Sequence, residues 1–257
     1  MDSKKIFSVK NKVIIITGGA GYLGQHYARG LGQAGAKVVL WDKRKLAGVD
    51  LVDITSEAEV KKAVAKIIKK YGRIDALINN AALNPNVENV DAEAQFAPYE
   101  EYSLELWEKE LKVNLTGAMV CTKAVAAIMI KQKSGSIINI GSDIAISAHD
   151  HRVYNDPANR RYKSVAYATT KAGLLGFTRQ WAARLGQYQV RVNLFSPTGT
   201  AAPGQPEDFV KRYAGANMFG RMPRPEEYFG PLIFLCSNAS NFMTGQNLIV
   251  DGGRTAW

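Results

Sequence analysis

The sequence is poor in the residues that staple small domains or build metal centres. It holds two cysteines, Cys121 and Cys236, and three histidines in 257 residues. The cysteines lie far apart inside apolar helical patterns, with no metal-ligand spacing. That argues against a disulfide framework and points to a reducing cytoplasm. No uninterrupted apolar run reaches the roughly 18 to 20 residues of a membrane span. The opening MDSKKIFSVKNK is polar and leads into a strand, so no secretory signal is expected there. Acidic residues are scarce relative to basic ones, 23 against 33, for a net charge of +10. Such a surplus can draw nucleic acid or an acidic membrane. Neither a nucleic-acid motif nor a dense basic run accompanies it, and KKAVAKIIKKYGR reads as the solvated face of an amphipathic helix. Internal repeats, low-complexity linkers and domain boundaries are missing as well.

What is present is an alternation. Hydrophobic residues make up 46% and charged residues 22%, enough for one large core. VIIIT (Val13 to Thr17) reads as a buried parallel strand, followed by a glycine-rich turn and a helix to about Gly35. AKVVLWD is a second strand. Ser56 to Tyr71 has helical periodicity, with Ser56 or Thr55 as N-cap and Gly72 as the stop. IDALINNAA, GSIINIGS, VRVNLFSP and NLIVDGG are further strands. Between them, Leu104 to about Met129 reads as one long helix, Tyr167 to about Leu185 as another, and PEEYFGPLIFLCS as a third. Strand and helix in turn predict an α/β fold: a Rossmann-type doubly wound parallel sheet in three layers, one domain over residues 1–257.

The first loop, Thr17-Gly18-Gly19-Ala20-Gly21-Tyr22-Leu23-Gly24, lies between a strand and a helix. Glycines there let backbone N–H groups approach a pyrophosphate, whose charge the helix N-terminus stabilises. Asp42 closes the next strand, 24 residues past Gly18. A carboxylate at that point accepts from a ribose 2′-OH and repels a 2′-phosphate, so NAD is favoured over NADP. Lys43 and Arg44 follow and could soften the preference. Asp53 with Ile54, and the loop Asn79-Asn80-Ala81-Ala82, fall at strand ends on the same crevice edge, suited to an adenine-side and a ribose-side contact.

Tyr167 and Lys171 are four residues apart and share a helix face. A nearby ammonium favours the phenolate, so Tyr167 is read as a general base or acid for an alcohol proton. Ser142 ends a strand on the same edge and could hold the reacting oxygen. Asn114, polar among apolar helical neighbours, could anchor a water that relays the proton from Lys171.

These motifs together resemble the short-chain dehydrogenase/reductase family, in its compact single-domain branch. The resemblance rests on TGGAGYLG, NNAA, KVNLTG, IINIGS, YATTK, RVNLFSP and MTGQNLIVDGG, in that order, and covers residues 10 to 257. It implies a bound nicotinamide, Asn114, Ser142, Tyr167 and Lys171 as the catalytic set, and Lys171 also on the nicotinamide ribose. The implied cofactor contacts are Gly18, Gly21, Tyr22, Leu23, Gly24, Asp42, Asp53, Ile54, Asn80, Ala81, Pro197 and Thr200. Three positions depart from the pattern. Tyr22 replaces a glycine, giving a spacing like that of the epimerase-like branch. Ala82 ends the NNAA motif where glycine is usual. Thr198 stands where the family's Pro-Gly glycine is expected, and the carboxamide threonine falls near Ala202, with Thr200 as its substitute.

Ser142 and Tyr167 stand 25 residues apart, more than the family's usual separation. The excess, at about 143–166, carries His149, His151, Arg152, Arg160, Arg161 and Lys163. It reads either as a solvated or oligomer-contact loop or as a substrate lid. In the second reading His151, Arg152, Arg160 and Arg161 hold an anionic substrate, since guanidinium forks bind phosphate and carboxylate bidentately. A His/Asp metal site at HDH is a third reading; no metal is assigned. The insert and the ending VDGGRTAW are similar to oxidoreductases of flagellin modification and acidic-sugar biosynthesis. Expected is an NAD(H)-dependent oxidoreductase on a secondary alcohol or ketone of a sugar-derived or anionic small molecule. It would be a homodimer or homotetramer, with Trp107, Trp181 and Trp257 as packing or interface candidates. A nicotinamide-recycling epimerase or dehydratase, and a non-catalytic dinucleotide-binding regulator, are the alternatives.

Overall fold

The run Val13–Thr17 forms β1, every residue of it buried. The pleat divides its unbroken apolar sequence: Val13 and Ile15 join the core on one face, Ile14 and Ile16 the core on the other. A computed structural model of the protein describes residues 3–84, 96–154 and 161–257. Around β1 lie β2 (Lys37–Asp42), β3 (Val49–Leu51), β4 (Ala76–Asn79), β5 (Gly135–Ile140), β6 (Val190–Pro197) and β7 (Asn247–Val250). They form one parallel sheet in the order β3-β2-β1-β4-β5-β6-β7.

The helices are α1 (Tyr22–Gln33), α2 (Glu57–Tyr71), α3 (Leu104–Gln132), α4 (Val165–Leu185), α5 (Glu207–Gly215) and α6 (Phe229–Cys236). Val64 and Ile67 of α2, Val125 and Met129 of α3 and Leu185 of α4 pack with Ile15 and Val192 on one face. Tyr27 and Leu31 of α1 and Leu232 and Leu235 of α6 pack with Ile16 and Phe195 on the other. The result is the three-layer Rossmann-type domain that the alternation predicts. Strand order reverses between β1 and β4, so their C-terminal ends open the ligand crevice.

Local signals place several ends. Ser56 caps α2 by accepting from the Glu59 N–H at 3.3 Å, and Gly72 ends it in the left-handed region at φ 73°. Other ends differ from expectation. α4 starts at Val165, capped by Ser164, so Tyr167 lies in its first turn. α5 carries too polar a pattern to be read from sequence, and of β3 only its end near Asp53 is expected. α3 continues to Gln132 and contains a π turn over Lys112–Thr116. Joined this way, the helix is long and apolar enough by composition to cross a membrane, which the sequence reading did not foresee. Half of its most apolar stretch is buried in the domain, and Cys121, Val125 and Met129 lie in the core. It is the core helix of the sheet's first face.

A buried polar ladder crosses that same face. Asn79 donates to Thr122 at 3.0 Å and to Asn139 at 2.8 Å, and Asn139 donates to Thr178 at 2.9 Å. These bonds tie β4 and β5 to α3 and α4, the elements that carry the candidate site. The free cysteines, Cys121 and Cys236, are both buried.

Candidate active site

At the nucleotide end, Gly18 has φ +66°, and a Cβ there would sit 2.7 Å from the Ala81 Cα. A Cβ on Gly24 would meet the Gly18 carbonyl oxygen. Only glycine allows this closeness of loop and helix. Gly21 caps α1 without a side-chain bond, so the first N–H groups of the helix, at Tyr22, Leu23 and Gly24, remain available as donors. The cradle therefore fits a pyrophosphate on the sequence's own terms. Asn80 braces it, donating from its side chain to the Thr17 carbonyl at 2.9 Å, while the Ala81 N–H reaches Thr17 Oγ1 at 3.0 Å.

Tyr22, the departure from the glycine pattern, has a structural role. Its hydroxyl donates to the Ala201 carbonyl at 2.9 Å, joining the glycine loop to the segment after β6. Asp42 is buried at the end of β2, where it accepts from the Ala20 N–H at 3.0 Å and the Arg44 N–H at 2.9 Å. Burial works to raise its pKa, but the bonds from Arg44 and Ala20 outweigh it and hold the carboxyl below its ordinary value. The Arg44 guanidinium lies against the same carboxylate at 3.3 Å. Asp53 spends Oδ1 on the Thr55 N–H and hydroxyl, both at 2.8 Å, in a turn leading to α2. Ile54 packs over Gly117 of α3. Pro197 ends β6, and Thr200 follows in the loop, bonded weakly to the Thr198 carbonyl at 3.5 Å.

At the other end of the crevice the four expected residues converge, with changed partners. Lys171 is buried, and its ammonium donates to the Ile140 carbonyl at 2.6 Å while standing 5.4 Å from the Tyr167 ring centre. Burial lowers its pKa to about 8. The expected lowering of the Tyr167 pKa is not found in this arrangement. Burial drives that phenol well above its ordinary value, and Asp143, Tyr213 and Glu110 add to the rise, with Ser142 acting the other way. The side chain of Asn114 accepts from the Leu83 N–H at 2.7 Å and donates to the Leu83 carbonyl at 3.1 Å and to Thr170 at 3.1 Å. The amide thus pins the loop after β4 to α4. Its position inside the π turn is a common setting for functional residues.

Ser142 donates to Asp143 Oδ1 at 2.6 Å. Asp143, 3% exposed, also accepts from Thr198 at 2.7 Å and from Arg254 Nε at 3.1 Å. Thr198, the departure from glycine, thereby becomes a buried link, bonded in turn to the Tyr213 hydroxyl at 3.0 Å. Below Tyr167, the Ser164 cap accepts from the Tyr167 N–H at 2.9 Å and donates to buried Glu110. Sequence reasoning missed Asp143, Glu110 and Arg254 as site residues. Their partners are distant in the chain, and no local pattern marks them.

The described part of the insert packs over this site. Val153 is buried against Tyr213 and Met222, and Tyr154 against Phe209. The His149 ring stacks on that of Tyr167, with centres 6.5 Å apart and an angle of 23°. Lys163 is buried among aromatic faces, 5.5 Å from Phe96, 5.7 Å from Tyr154 and 5.6 Å from Tyr167. Burial lowers its pKa to about 7, with Glu110 opposing.

The expected anion-holding residues fare differently. Arg152 pairs with Asp150 at 2.8 Å and its side chain is 91% exposed, so it faces solvent rather than the crevice. His151 is engaged by the Tyr99 hydroxyl at 3.1 Å and the Lys163 N–H at 3.4 Å. The Arg161 guanidinium lies 5.8 Å from the Phe96 ring centre. Arg160 is outside the described residues.

The family model described as Enoyl-(Acyl carrier protein) reductase matches residues 19–255. The chain is 32% identical to a 3-oxoacyl-[acyl-carrier-protein] reductase of Thermotoga maritima, over 95% of this chain and 98% of that protein. It is 32% identical to an NAD-dependent glycerol dehydrogenase of Listeria innocua, over 98% and 96%. Among solved structures it is similar to a gluconate 5-dehydrogenase from Burkholderia cenocepacia in complex with NADP and tartrate. The TM-score is 0.84 and the identity 27%, with both chains covered fully at 100%.

Proposed function

Because the chain belongs to the short-chain dehydrogenase/reductase family, we propose that it is the NAD(H)-dependent member whose Tyr167 moves the proton of a secondary alcohol or ketone. That it is an oxidoreductase follows from the family, and its relatives include enzymes of glycerol and gluconate. The substrate is a polar, sugar-derived small molecule with an anionic group. The observation that carries the reading is the pair of hydroxyls, Ser142 and Tyr167, which interact with each other beside buried Lys171.

A bound nicotinamide supplies the hydride acceptor or donor, and its oxidised form carries a positive charge. Gly18, Gly21, Tyr22, Leu23, Gly24, Asn80 and Ala81 would hold its pyrophosphate and ribose side, and Lys171 its second ribose. Because the Ser142 proton is committed to Asp143, the Ser142 oxygen presents lone pairs to the crevice. It accepts the O–H of a docking alcohol, which then turns from Ser142 to the Tyr167 oxygen beside it. In oxidation the phenolate of Tyr167, the form that burial disfavours, takes the hydroxyl proton. In reduction its neutral phenol, the form that burial favours, gives the proton to the new alkoxide oxygen. His149 and Lys163 of the insert lie against the ring of Tyr167 and shield the step from water.

Asp42 sets the cofactor preference by repelling a 2′-phosphate while restraining Arg44. Asp42→Ala removes the repulsion and frees a guanidinium that binds phosphate. The ratio of kcat/KM for NAD to that for NADP should fall by about tenfold or more, roughly 1.4 kcal/mol. An unchanged ratio would exclude Asp42 as the discriminator. The buried free thiols suit a reducing cytoplasm. Met119 of α3, 42% exposed, and Phe177 beside Trp181 on α4 suit a homodimer or homotetramer.

The test of the activity is absorbance at the NADH band with NAD and a panel of polyols, sugars, sugar acids and sugar phosphates. Turnover by the wild type that is lost in Tyr167→Phe supports the reading. Equal turnover by both would overturn the assigned chemistry.

A further inference from the structure

Two buried donors beside the reacting hydroxyls lack partners. Arg254 reaches in from near the C-terminus with its side chain 11% exposed. Its Nε is spent on Asp143, and its guanidinium lies 4.4 Å from the Tyr213 ring centre. Its Nη1 is buried and has no hydrogen-bond partner among the described residues; the same holds for Nε2 of His149. The His149 ring stacks on Tyr167, while Arg254 shares Asp143 with Ser142, so the two donors flank the reacting pair. A buried charged donor without an acceptor is costly to the fold, and such an atom at a crevice marks a site that a ligand completes.

We infer that Arg254 and His149 form the carboxylate-binding end of the substrate pocket and select a short hydroxycarboxylate, oxidised at a hydroxyl close to its carboxyl group. The inference rests on the reading of the crevice as an alcohol oxidoreductase site and names its substrate class. Two N–H donors match the two oxygens of one carboxylate. A phosphate dianion suits the site less well, because the Arg254 charge is already offset by Asp143. Burial takes the His149 pKa down to about 3, and the charges of Lys163, His151 and Arg254 push the same way, so His149 is neutral, and it donates to a carboxylate as its Nε2–H tautomer. Lys163, its pKa lowered to about 7, adds nearby positive charge as pH falls below neutrality. Asp143 thus serves two ends of one pocket, as a positioning residue: one oxygen holds Ser142, the other Arg254. This fixes the distance between the reacting oxygen and the carboxylate, and it favours a short substrate. The arginines of the insert are not needed for it.

Matched pairs differing only in carboxylate against CH2OH give the test: threonate with threitol, and gluconate with glucitol. Each is assayed with NAD and the wild type, Arg254→Met, Arg254→Lys and His149→Phe. Arg254→Lys keeps a cation for Asp143, and His149→Phe keeps a ring on Tyr167, so both retain the packing. The wild type should favour the acids by about tenfold or more in kcat/KM, and each variant should shrink that ratio. Calorimetric titration of threonate and threitol into the enzyme with NADH reads the same preference without turnover. Turnover of threitol and glucitol with no preference for the acids overturns the carboxylate site and leaves the oxidoreductase. An acid preference that persists in all three variants also overturns it. Threonate binding that depends on Arg254, with no NADH formed from any pair, upholds the site and overturns the oxidation reading. Neither binding nor turnover overturns both.

Discussion

Tyr167→Phe should lower kcat by about 10³-fold, within the 10² to 10⁴ that general acid–base catalysis contributes, and leave stability nearly unchanged. The change removes one oxygen. The ring stays where it packs, stacked on His149 and faced by Lys163 at 5.6 Å and Lys171 at 5.4 Å. What is lost is the group that exchanges a proton with the substrate oxygen. Ser142 cannot replace it, since its own proton is held by Asp143. Lys171 cannot either, because its ammonium is bonded to the Ile140 carbonyl. The measurement is steady-state kcat and KM at saturating cofactor, beside a melting curve. Retention of more than about a tenth of the activity would remove Tyr167 from the proton path. A pH profile adds a direction. Burial holds the phenol pKa above its ordinary value, so the protonated form dominates at neutral pH and below. The reduction, which needs that proton, should therefore not lose rate through Tyr167 as pH falls toward neutrality.

Asp143→Ala should destabilise the protein by about 3 kcal/mol or more and impair catalysis together. The buried carboxylate collects Ser142 at 2.6 Å, the Ile144 N–H at 2.9 Å, Thr198 at 2.7 Å and Arg254 at 3.1 Å. Its removal strands the Arg254 cation in a place that water barely reaches, and truncating one partner of a buried pair costs roughly 3 to 5 kcal/mol. It also frees the Ser142 hydroxyl to rotate, which misplaces the acceptor for the substrate. Urea denaturation gives the first effect and kcat the second. The double change Asp143→Leu with Arg254→Met removes both charges and should recover part of the lost stability, giving a coupling between sites 111 residues apart in the chain. Loss of less than about 1 kcal/mol in Asp143→Ala would mean that Arg254 is well solvated and the network is not a unit.

Much of this protein is written in local sequence. The VIIIT run, the glycine turn after it and the acid closing β2 name a dinucleotide crevice. Each feature depends only on residues a few positions apart, through pleat, φ preference and helix end. The Ser56 cap and the Gly72 stop are local in the same sense. The spacing of Tyr167 and Lys171 places both on one helix face without any tertiary information. The ends of strands further along the chain then fall on a common edge, because a parallel sheet puts all its C-termini there.

Which charges face the substrate was decided elsewhere. The insert advertises its arginines, yet Arg152 pairs with Asp150 and points to solvent. The guanidinium that enters the pocket comes from Arg254, brought there because β7 ends beside β6 and the chain turns back over Thr198 and Tyr213. Lys171 was expected to work directly on the phenol, but the Ile140 carbonyl captured its ammonium. The partners of the Asn114 amide, Leu83 and Thr170, come from distant segments. Sequence by itself determined the fold and the glycine cradle, and it placed the proposed reacting hydroxyls on one crevice edge, because those follow from periodicity and backbone geometry. Tertiary structure alone decided their protonation and their partners. A pKa and a hydrogen bond depend on burial and on neighbours from distant segments, and no spacing along the chain encodes either.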